Sequence, residues 1–177
     1  RGRVARLFNS ESSEIYFTSC GSESDNMALK GLAYLQKEKN TGKNHIITSK
    51  IEHPAILQSC KALEKQGFVV TYLDVDKGGT VDLSSLENSI NEKTFLISIM
   101  YANNEIGTIE PIESISKIAH KHNIIFHTDA VQATGNVKID VKKLDIDMLS
   151  MSGHKIYAPK GIGAIYIKKG IEINRFM

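Results

Sequence analysis

The sequence predicts a three-layer α/β/α fold built on a mainly parallel sheet. Seven short runs rich in β-branched and other apolar residues recur along the chain, and several are apolar nearly throughout, as strands covered on both faces are. They lie at residues 15–18, 45–48, 68–73, 94–100, 124–127, 148–151 and 164–167. Helical patterns separate them, and such alternation is typical of a parallel sheet with helices on both sides.

Four helices are predicted between these strands. Residues 22–25 (SESD) resemble a helix cap ahead of the first amphipathic stretch. Pro54 opens the second helix, and Gly67 ends it. The third covers residues 83–90, and Pro111 opens the fourth.

The last two predicted strands are joined by a Pro/Gly-rich loop that is too short for a crossover helix. This loop leaves room for one antiparallel strand. Elsewhere, right-handed crossovers place the strand-to-helix turns along one edge of the sheet, where ligands of such folds bind. Functional residues are therefore expected directly after the strands.

Composition excludes several classes of protein. The 177 residues suffice for one domain with a substantial core, and 41% hydrophobic with 24% charged residues is ordinary for a globular protein. The net charge of +2 is spread along the chain without a basic block, so a nucleic-acid partner is not expected. No apolar run approaches the ~20 residues that a membrane helix requires, so no membrane partner is expected.

The cysteines and the chain ends add two expectations. Cys20 and Cys60 are too few for a disulfide scaffold and form no CxxC pair, which favours a cytoplasmic location. The chain begins at Arg1 and stops shortly after the charged segment GIEINRF. Both ends therefore suggest cuts through a longer protein.

A run of small residues, 19–22 (SCGS), follows the first predicted strand and leads into a helix. Backbone N–H groups at a helix start carry about half a positive charge and can seat a phosphate. A plain helix cap explains the same residues, and on this loop alone it is the better-supported interpretation. The run is neither GxGxxG nor GxxxxGKS, so no nucleotide fingerprint is indicated.

Polar residues also follow the fourth and fifth strands. Asp129 comes after residues 124–127, where a buried acid requires a cation or several donors, although it could simply cap the next helix. Asn103 and Asn104 follow the fourth strand, where turn chemistry alone could explain them or they could offer amides to a ligand.

His53 precedes the second helix, and Lys155 stands among Ser152, Gly153 and His154 after the sixth strand. A lone histidine is more often structural than catalytic, so His53 is weak by itself. A solubilising surface lysine requires no such neighbours, whereas a reactive lysine must be reached by a ligand and held in place.

Together these residues supply the parts of a site for pyridoxal 5′-phosphate (PLP), which binds a lysine as a Schiff base and places an acid at its pyridine nitrogen. No haem or P-loop pattern competes. His120, His122 and His127 raise the possibility of zinc, but His120 and His122 lack the i, i+4 spacing that puts two ligands on one helix face. No metal site is predicted.

Five segments, in order, resemble those of a known family: FTSCGSESDNMALKG, SKIEHPAILQSC, NNEIGTIEPI, HTDAVQATG and SMSGHKIYAPKGIGAIYI. They are similar to the signature segments of NifS-like cysteine desulfurases, in the class V aminotransferase branch of the fold-type I PLP enzymes. The resemblance runs from residue 13 to residue 167. It implies that residues 1–177 are the PLP-binding large domain of a longer chain, without its C-terminal domain.

The resemblance also implies roles for individual residues. Lys155 would carry the cofactor and shuttle protons, and Asp129 would pair with the pyridine nitrogen. Gln132 would contact the phenolic oxygen of the ring, near Asn104, which would also lie toward the carboxylate of the substrate. His53 would stack on the ring and assist proton transfer. The phosphate would be held by Gly21, Ser22, Ser152 and His154.

The implied activity is conversion of L-cysteine to L-alanine, with transfer of sulfur to an acceptor or an iron–sulfur scaffold protein, in a homodimer. The persulfide-forming cysteine of the family lies beyond Met177, so neither Cys20 nor Cys60 is expected to be the nucleophile. A mild departure is the phosphate loop, SCGSES in place of a SGATES-like sequence. Two alternatives stay open: another class V enzyme (transaminase, selenocysteine or sulfinate lyase), and a catalytically silent scaffold.

Overall fold

The computed structural model, which describes residues 1–174, contains a seven-stranded sheet in the order β1-β7-β6-β5-β4-β2-β3. The strands are β1 (Ile15–Thr18), β2 (His45–Ser49), β3 (Val69–Leu73), β4 (Thr94–Ser98), β5 (Ile125–Asp129), β6 (Met148–Ser152) and β7 (Gly163–Ile167). β2 to β6 pair in parallel, and β7 runs antiparallel to both β6 and β1. The mainly parallel sheet is confirmed, and β7 is the antiparallel strand for which the short loop leaves room.

Five α-helices accompany the sheet in the described part of the chain. They are α1 (Gly2–Phe8), α2 (Gly21–Glu38), α3 (Pro54–Glu64), α4 (Leu83–Asn88) and α5 (Ile112–Lys121). The sequence patterns did not predict α1, because its seven residues bury only Ala5 and Phe8 and so carry too little periodicity. None of the helices described in residues 1–174 combines the length and the apolar character needed to cross a membrane.

The start of α2 differs from the predicted one. Residues 22–25 lie inside the helix rather than before it, and Cys20 is the N-cap residue, without a side-chain cap hydrogen bond. The helix begins earlier because the Glu23 carboxylate accepts the Ser19 N–H from inside the first turn. Glu23, which was expected to precede the helix, therefore lies within it and connects it to the preceding loop through Ser19.

Alternate residues of the central strands enter two separate cores, which defines the three layers. Ile46 packs with α2 and α3, whereas its neighbour Ile47 packs with α1, α4 and α5 on the opposite face. Leu96 and Ile97 divide in the same way on β4. This alternation follows from the two-residue repeat of a strand, and it confirms the predicted α/β/α architecture.

Candidate active site

One pocket opens at the carboxyl edge of the sheet, beside the ends of β4, β5 and β6. All of the residues that the sequence predicts for a cofactor site line it: Gly21, Ser22, His53, Asn104, Asp129, Gln132, Ser152, His154 and Lys155. Five more line it as well: Cys20, Asp25, Met100, Ala102 and Val131. The structure brings the predicted residues together, while their chemical roles stay a prediction.

The first turn of α2 forms one side of this pocket. The helix has 18 residues, and its Cys20 N-cap gives no side-chain acceptor to the first N–H groups. Unpaired N–H groups at a helix start favour an anion. A Cβ on Gly21 would stand 2.6 Å from Val131 Cγ2, so glycine permits the close packing of this turn against the loop after β5.

The end of β6 supplies the opposite side. Ser152 Oγ and His154 Nδ1 are hydrogen-bonded at 2.8 Å, and a 3-10 helix, Gly153–Ile156, follows directly. A Cβ on Gly153 would lie 2.8 Å from Ile162 Cγ2, which keeps this helix close to the returning chain. Lys155 lies on it with an exposed side chain that lines the pocket. The amine is thus accessible while its backbone is held.

Asp129 is the last residue of β5, rather than a residue after the strand, and it is only 5% exposed. Its Oδ1 accepts the Val131 N–H at 2.9 Å, but residues 131–133 form a turn and the described chain has no helix between β5 and β6, so the helix-capping role considered for Asp129 is wrong. Burial raises the pKa of Asp129, while that N–H and the nearby His53 ring lower it. A cationic ligand group would stabilise this buried acid as a carboxylate.

His53 is the N-cap residue of α3, as expected for a residue directly ahead of Pro54. Its Nδ1 accepts the Ala55 N–H at 3.1 Å. Because Nδ1 is the acceptor, the neutral ring carries its proton on Nε2. The ring therefore has a defined orientation and one N–H that the helix cap does not use.

The structure separates the two asparagines after β4. Asn103 is buried, and its Oδ1 accepts the N–H groups of Glu105 and Ile106 at 2.8 and 3.0 Å. Its amide donates to Ile51 O at 2.9 Å. Asn103 therefore builds the turn, and exposed Asn104 is the residue that faces the pocket.

Two buried acids near the pocket were missed from the sequence. Asp25 lines the pocket from α2, four residues after Gly21 and hence on the same helix face, a signal that could have identified it. Glu52, next in sequence to His53, is buried without lining the pocket, and its Oε1 accepts from Ser49 Oγ at 2.6 Å and from Met100 N at 2.9 Å. Its place immediately before His53 resembles an ordinary loop position.

These residues fit PLP. The start of α2 suits a phosphate, Asp129 is a buried acid that suits a protonated ring nitrogen, and Lys155 offers an accessible amine. An unpartnered buried oxygen, Asp25 Oδ1, adds polar character to the same pocket in the described part of the chain.

Solved structures share this fold. A NIFS-like protein superposes with a TM-score of 0.94 at 44% identity, over 99% of this chain and 48% of that one. A structure described as SspA in complex with cysteine gives a TM-score of 0.93 at 46% identity, over 98% and 50%. The fold-type I arrangement expected from the resemblance is confirmed.

Curated relatives are similar over almost the whole chain. A cysteine desulfurase IscS of Clostridium botulinum (strain Kyoto / Type A2) is 57% identical over 100% of this chain and 44% of its own length. A cysteine desulfurase IscS of Ehrlichia chaffeensis (strain ATCC CRL-10679 / Arkansas) is 59% identical over 96% and 40%. The chain thus spans less than half the length of these relatives. Residues 1–174 match the family model described as Aminotransferase class-V, and the chain belongs to that family.

Proposed function

We propose that the chain is the cofactor-binding part of a PLP-dependent cysteine desulfurase that converts L-cysteine to L-alanine and passes the sulfur to an acceptor. The observation that carries this proposal is that Lys155, Asp129 and His53 line one pocket beside the start of α2, whose N-cap residue makes no side-chain cap hydrogen bond. Relatives named cysteine desulfurase at 57% and 59% identity support it. So does the similarity to a structure described as a complex with cysteine.

When bound, PLP supplies an electron sink that weakens bonds in an attached amino acid. The chain's own residues would hold and orient it. The first turn of α2 with Ser22 would take the phosphate, together with Ser152 and His154 across the pocket. Asp129 would hold the ring nitrogen in its protonated form, which its charge favours by about 1–3 pKa units.

Lys155 would attach the cofactor through Nζ and, after the substrate amine replaces it, move protons on the substrate. His53 would lie against the ring and offer its Nε2–H. Gln132 and Asn104 would contact the phenolic oxygen, with Asn104 toward the substrate carboxylate. Each of these residues lines the pocket.

The sulfur-accepting thiol is proposed to lie outside residues 1–177. Cys60 is fully buried, and burial raises the pKa of its thiol to about 12, so a reactive thiolate is not accessible there. Cys20 is the N-cap residue of α2 and lines the pocket where the phosphate is proposed to bind. Residues 1–177 are accordingly proposed as the large domain of the longer protein.

The partners of the longer protein are proposed from the family resemblance. They are a second copy in a homodimer and a sulfur acceptor or iron–sulfur scaffold protein. The described chain has two free cysteines, which suits a reducing cytoplasm. The proposal includes no nucleic-acid partner.

The test is sulfide and alanine release from L-cysteine by the full-length protein, with PLP attachment followed by borohydride reduction and peptide mapping. The native protein is expected to release both products and to carry the label on Lys155. Lys155→Ala is expected to abolish both results. Lys160→Ala, in the same loop but outside the pocket lining, is the matched control and should retain them. Absence of both products from the native protein would overturn the proposal.

A further inference from the structure

Asp25 is an acid of the pocket that none of the proposed roles uses. It lies on α2, lines the pocket and is only 1% exposed. Its Oδ1 has no hydrogen-bond partner among residues 1–174. An ionised carboxylate in such a place would carry a large desolvation cost unless a cation compensated it.

The nearest ring does not supply that cation. His127 Nε2 lies 3.9 Å from Asp25 Oδ1, beyond hydrogen-bond distance. The ring is wholly buried between two hydroxyls, with Nδ1 at 2.9 Å from Ser98 Oγ and Nε2 at 2.9 Å from Ser150 Oγ. Burial lowers the pKa of His127 to about 3, so the imidazole is neutral at pH 7.

The groups with the largest effect on the Asp25 carboxyl are acidic or neutral. Burial raises the pKa of Asp25 well above its usual range, and the charge of Asp129 on β5 raises it further. A hydrogen bond from the Ser150 hydroxyl lowers the pKa of Asp25. Glu52, in the loop before α3, and Cys20, directly before α2, raise this pKa through their charges. The basic groups of the pocket are His53, His154 and Lys155.

Two carboxyl groups in one buried site do not both ionise, so one of them keeps a proton. Asp129 has the Val131 N–H at 2.9 Å to stabilise its charged form. The donor that acts on the Asp25 carboxyl is the Ser150 hydroxyl, which also bonds His127 Nε2 at 2.9 Å, and Asp25 Oδ1 has no hydrogen-bond partner in the described chain. We propose that Asp25 is a positioning residue: it keeps a proton on its own carboxyl and so leaves the negative charge of the pair on Asp129.

This inference rests on the proposed function, because a charge on Asp129 matters there for a protonated ring nitrogen. Helix α2 then contributes two groups to the same pocket. The first turn presents N–H groups to an anion, and the next turn presents a neutral acid beside Asp129. Asparagine has the shape and neutrality of a protonated aspartate, so Asp25→Asn is the conservative variant.

The first test is infrared spectroscopy of the full-length apoprotein, labelled with 13C at the aspartate side-chain carboxyls, at neutral pH. The native minus Asp25→Asn difference is expected to contain the isotope-sensitive C=O band of a protonated carboxylic acid. Asp140→Asn, at a surface position where the acid bonds Asn9 at 3.0 Å, is the matched control and should lack that band. A difference that contains only carboxylate bands would overturn the inference.

The second test asks whether Asp129 sets the protonation of Asp25. In Asp129→Asn the acid band is expected to disappear at a lower pH than in the native protein, because the neighbouring negative charge is gone. A purely structural role for Asp25 would leave this midpoint unmoved. Equal midpoints in the two proteins would overturn the inference.

A third readout is the affinity of the full-length apoprotein for PLP. Asp25→Ala is expected to weaken binding about 10-fold, because it opens a void in the buried pocket wall beside Asp129. Asp25→Asn, which keeps the shape of the side chain, is expected to restore the affinity to within about threefold. An asparagine variant as weak as the alanine variant would overturn the inference. If the native protein binds PLP without showing the acid band, only the inference fails. If it shows the band but does not bind PLP, the proposed function fails and the role of Asp25 with it.

Discussion

Glu52 lies wholly inside the protein, where it joins the loop after β2 to the end of β4. Its Oε1 accepts from Ser49 Oγ and Met100 N, while Oε2 has no partner in the described chain. Burial raises the pKa of Glu52 to about 8, although both hydrogen bonds lower it. The side chain is therefore a neutral acid at pH 7, as we infer for Asp25.

Glu52→Gln is expected to flatten the pH dependence of stability. Between pH 4.5, the ordinary pKa of a glutamate, and about 8, the unfolded chain releases a proton that the folded chain keeps. The free energy of unfolding of the native protein should therefore fall as pH rises through this window, by up to about 1.4 kcal/mol per pH unit. Glutamine keeps the Oε1 acceptor but has no proton to lose.

The measurement is urea unfolding of the full-length apoprotein at several pH values across that window. The unfolding free energy of the native protein minus that of Glu52→Gln should fall steadily toward alkaline pH, because only the native protein loses stability there. Glu92→Gln, at an exposed position, serves as the control and should run parallel to the native protein. Parallel curves for Glu52→Gln would show that Glu52 is ionised in the folded state.

At the scale of elements, α5 is fastened to the sheet through His120. The ring bonds Asp145 Oδ2 through Nδ1 and Asp147 Oδ2 through Nε2, each at 2.8 Å. Asp147 is buried and also accepts the Phe126 N–H at 2.9 Å. This set of bonds connects the helix before β5 to β5 itself and to the segment that enters β6.

His120→Ala is expected to lower the free energy of unfolding by about 1–3 kcal/mol, because it removes a partner from the buried Asp147. Lys117→Ala on the same helix is the matched control, since its pair with Glu113 at 2.7 Å is exposed and should contribute little. The measurement is the urea concentration at the unfolding midpoint of both variants, compared at an unchanged m value, the slope of the unfolding free energy against urea concentration. Similar midpoints for the two would mean that the His120 bonds do not stabilise the helix.

The sequence predicts elements well where the signal is local. Asp129, His53 and Lys155 could be placed because each stands beside the end of an apolar run, and Pro54 opens α3 as expected. The burial of Asp25 and of the His120–Asp147 pair could not be predicted from the sequence, because it depends on how a helix packs on strands that are distant along the chain. The local sequence of a helix does not determine which of its polar side chains will face the sheet and become buried.

At the scale of the whole molecule, the sheet order explains why the site assembles. Four strands, β2, β4, β5 and β6, lie side by side and run in parallel. Their carboxyl ends therefore lie at one edge of the sheet, and the segments that follow them, between residues 50 and 155, meet there. β1 then joins through β7, which places the start of α2 beside β6. The pairing of β1 with β7 spans most of the chain and has no local sequence signal, although the pocket requires it.

The last prediction concerns the proposal that the sulfur-accepting thiol lies outside residues 1–177. Residues 1–177 expressed alone are expected to release no sulfide from L-cysteine, because Cys60 is buried and Cys20, the N-cap residue of α2, lies in the proposed phosphate seat. The full-length protein is expected to release it. Circular dichroism and a cooperative thermal transition would establish that the shorter chain is folded. An absence of sulfide would then be due to the missing thiol and not to unfolding. Sulfide release by the folded shorter chain would instead assign the reaction to one of its own thiols, and Cys20→Ser would then identify which, since only Cys20 lines the pocket.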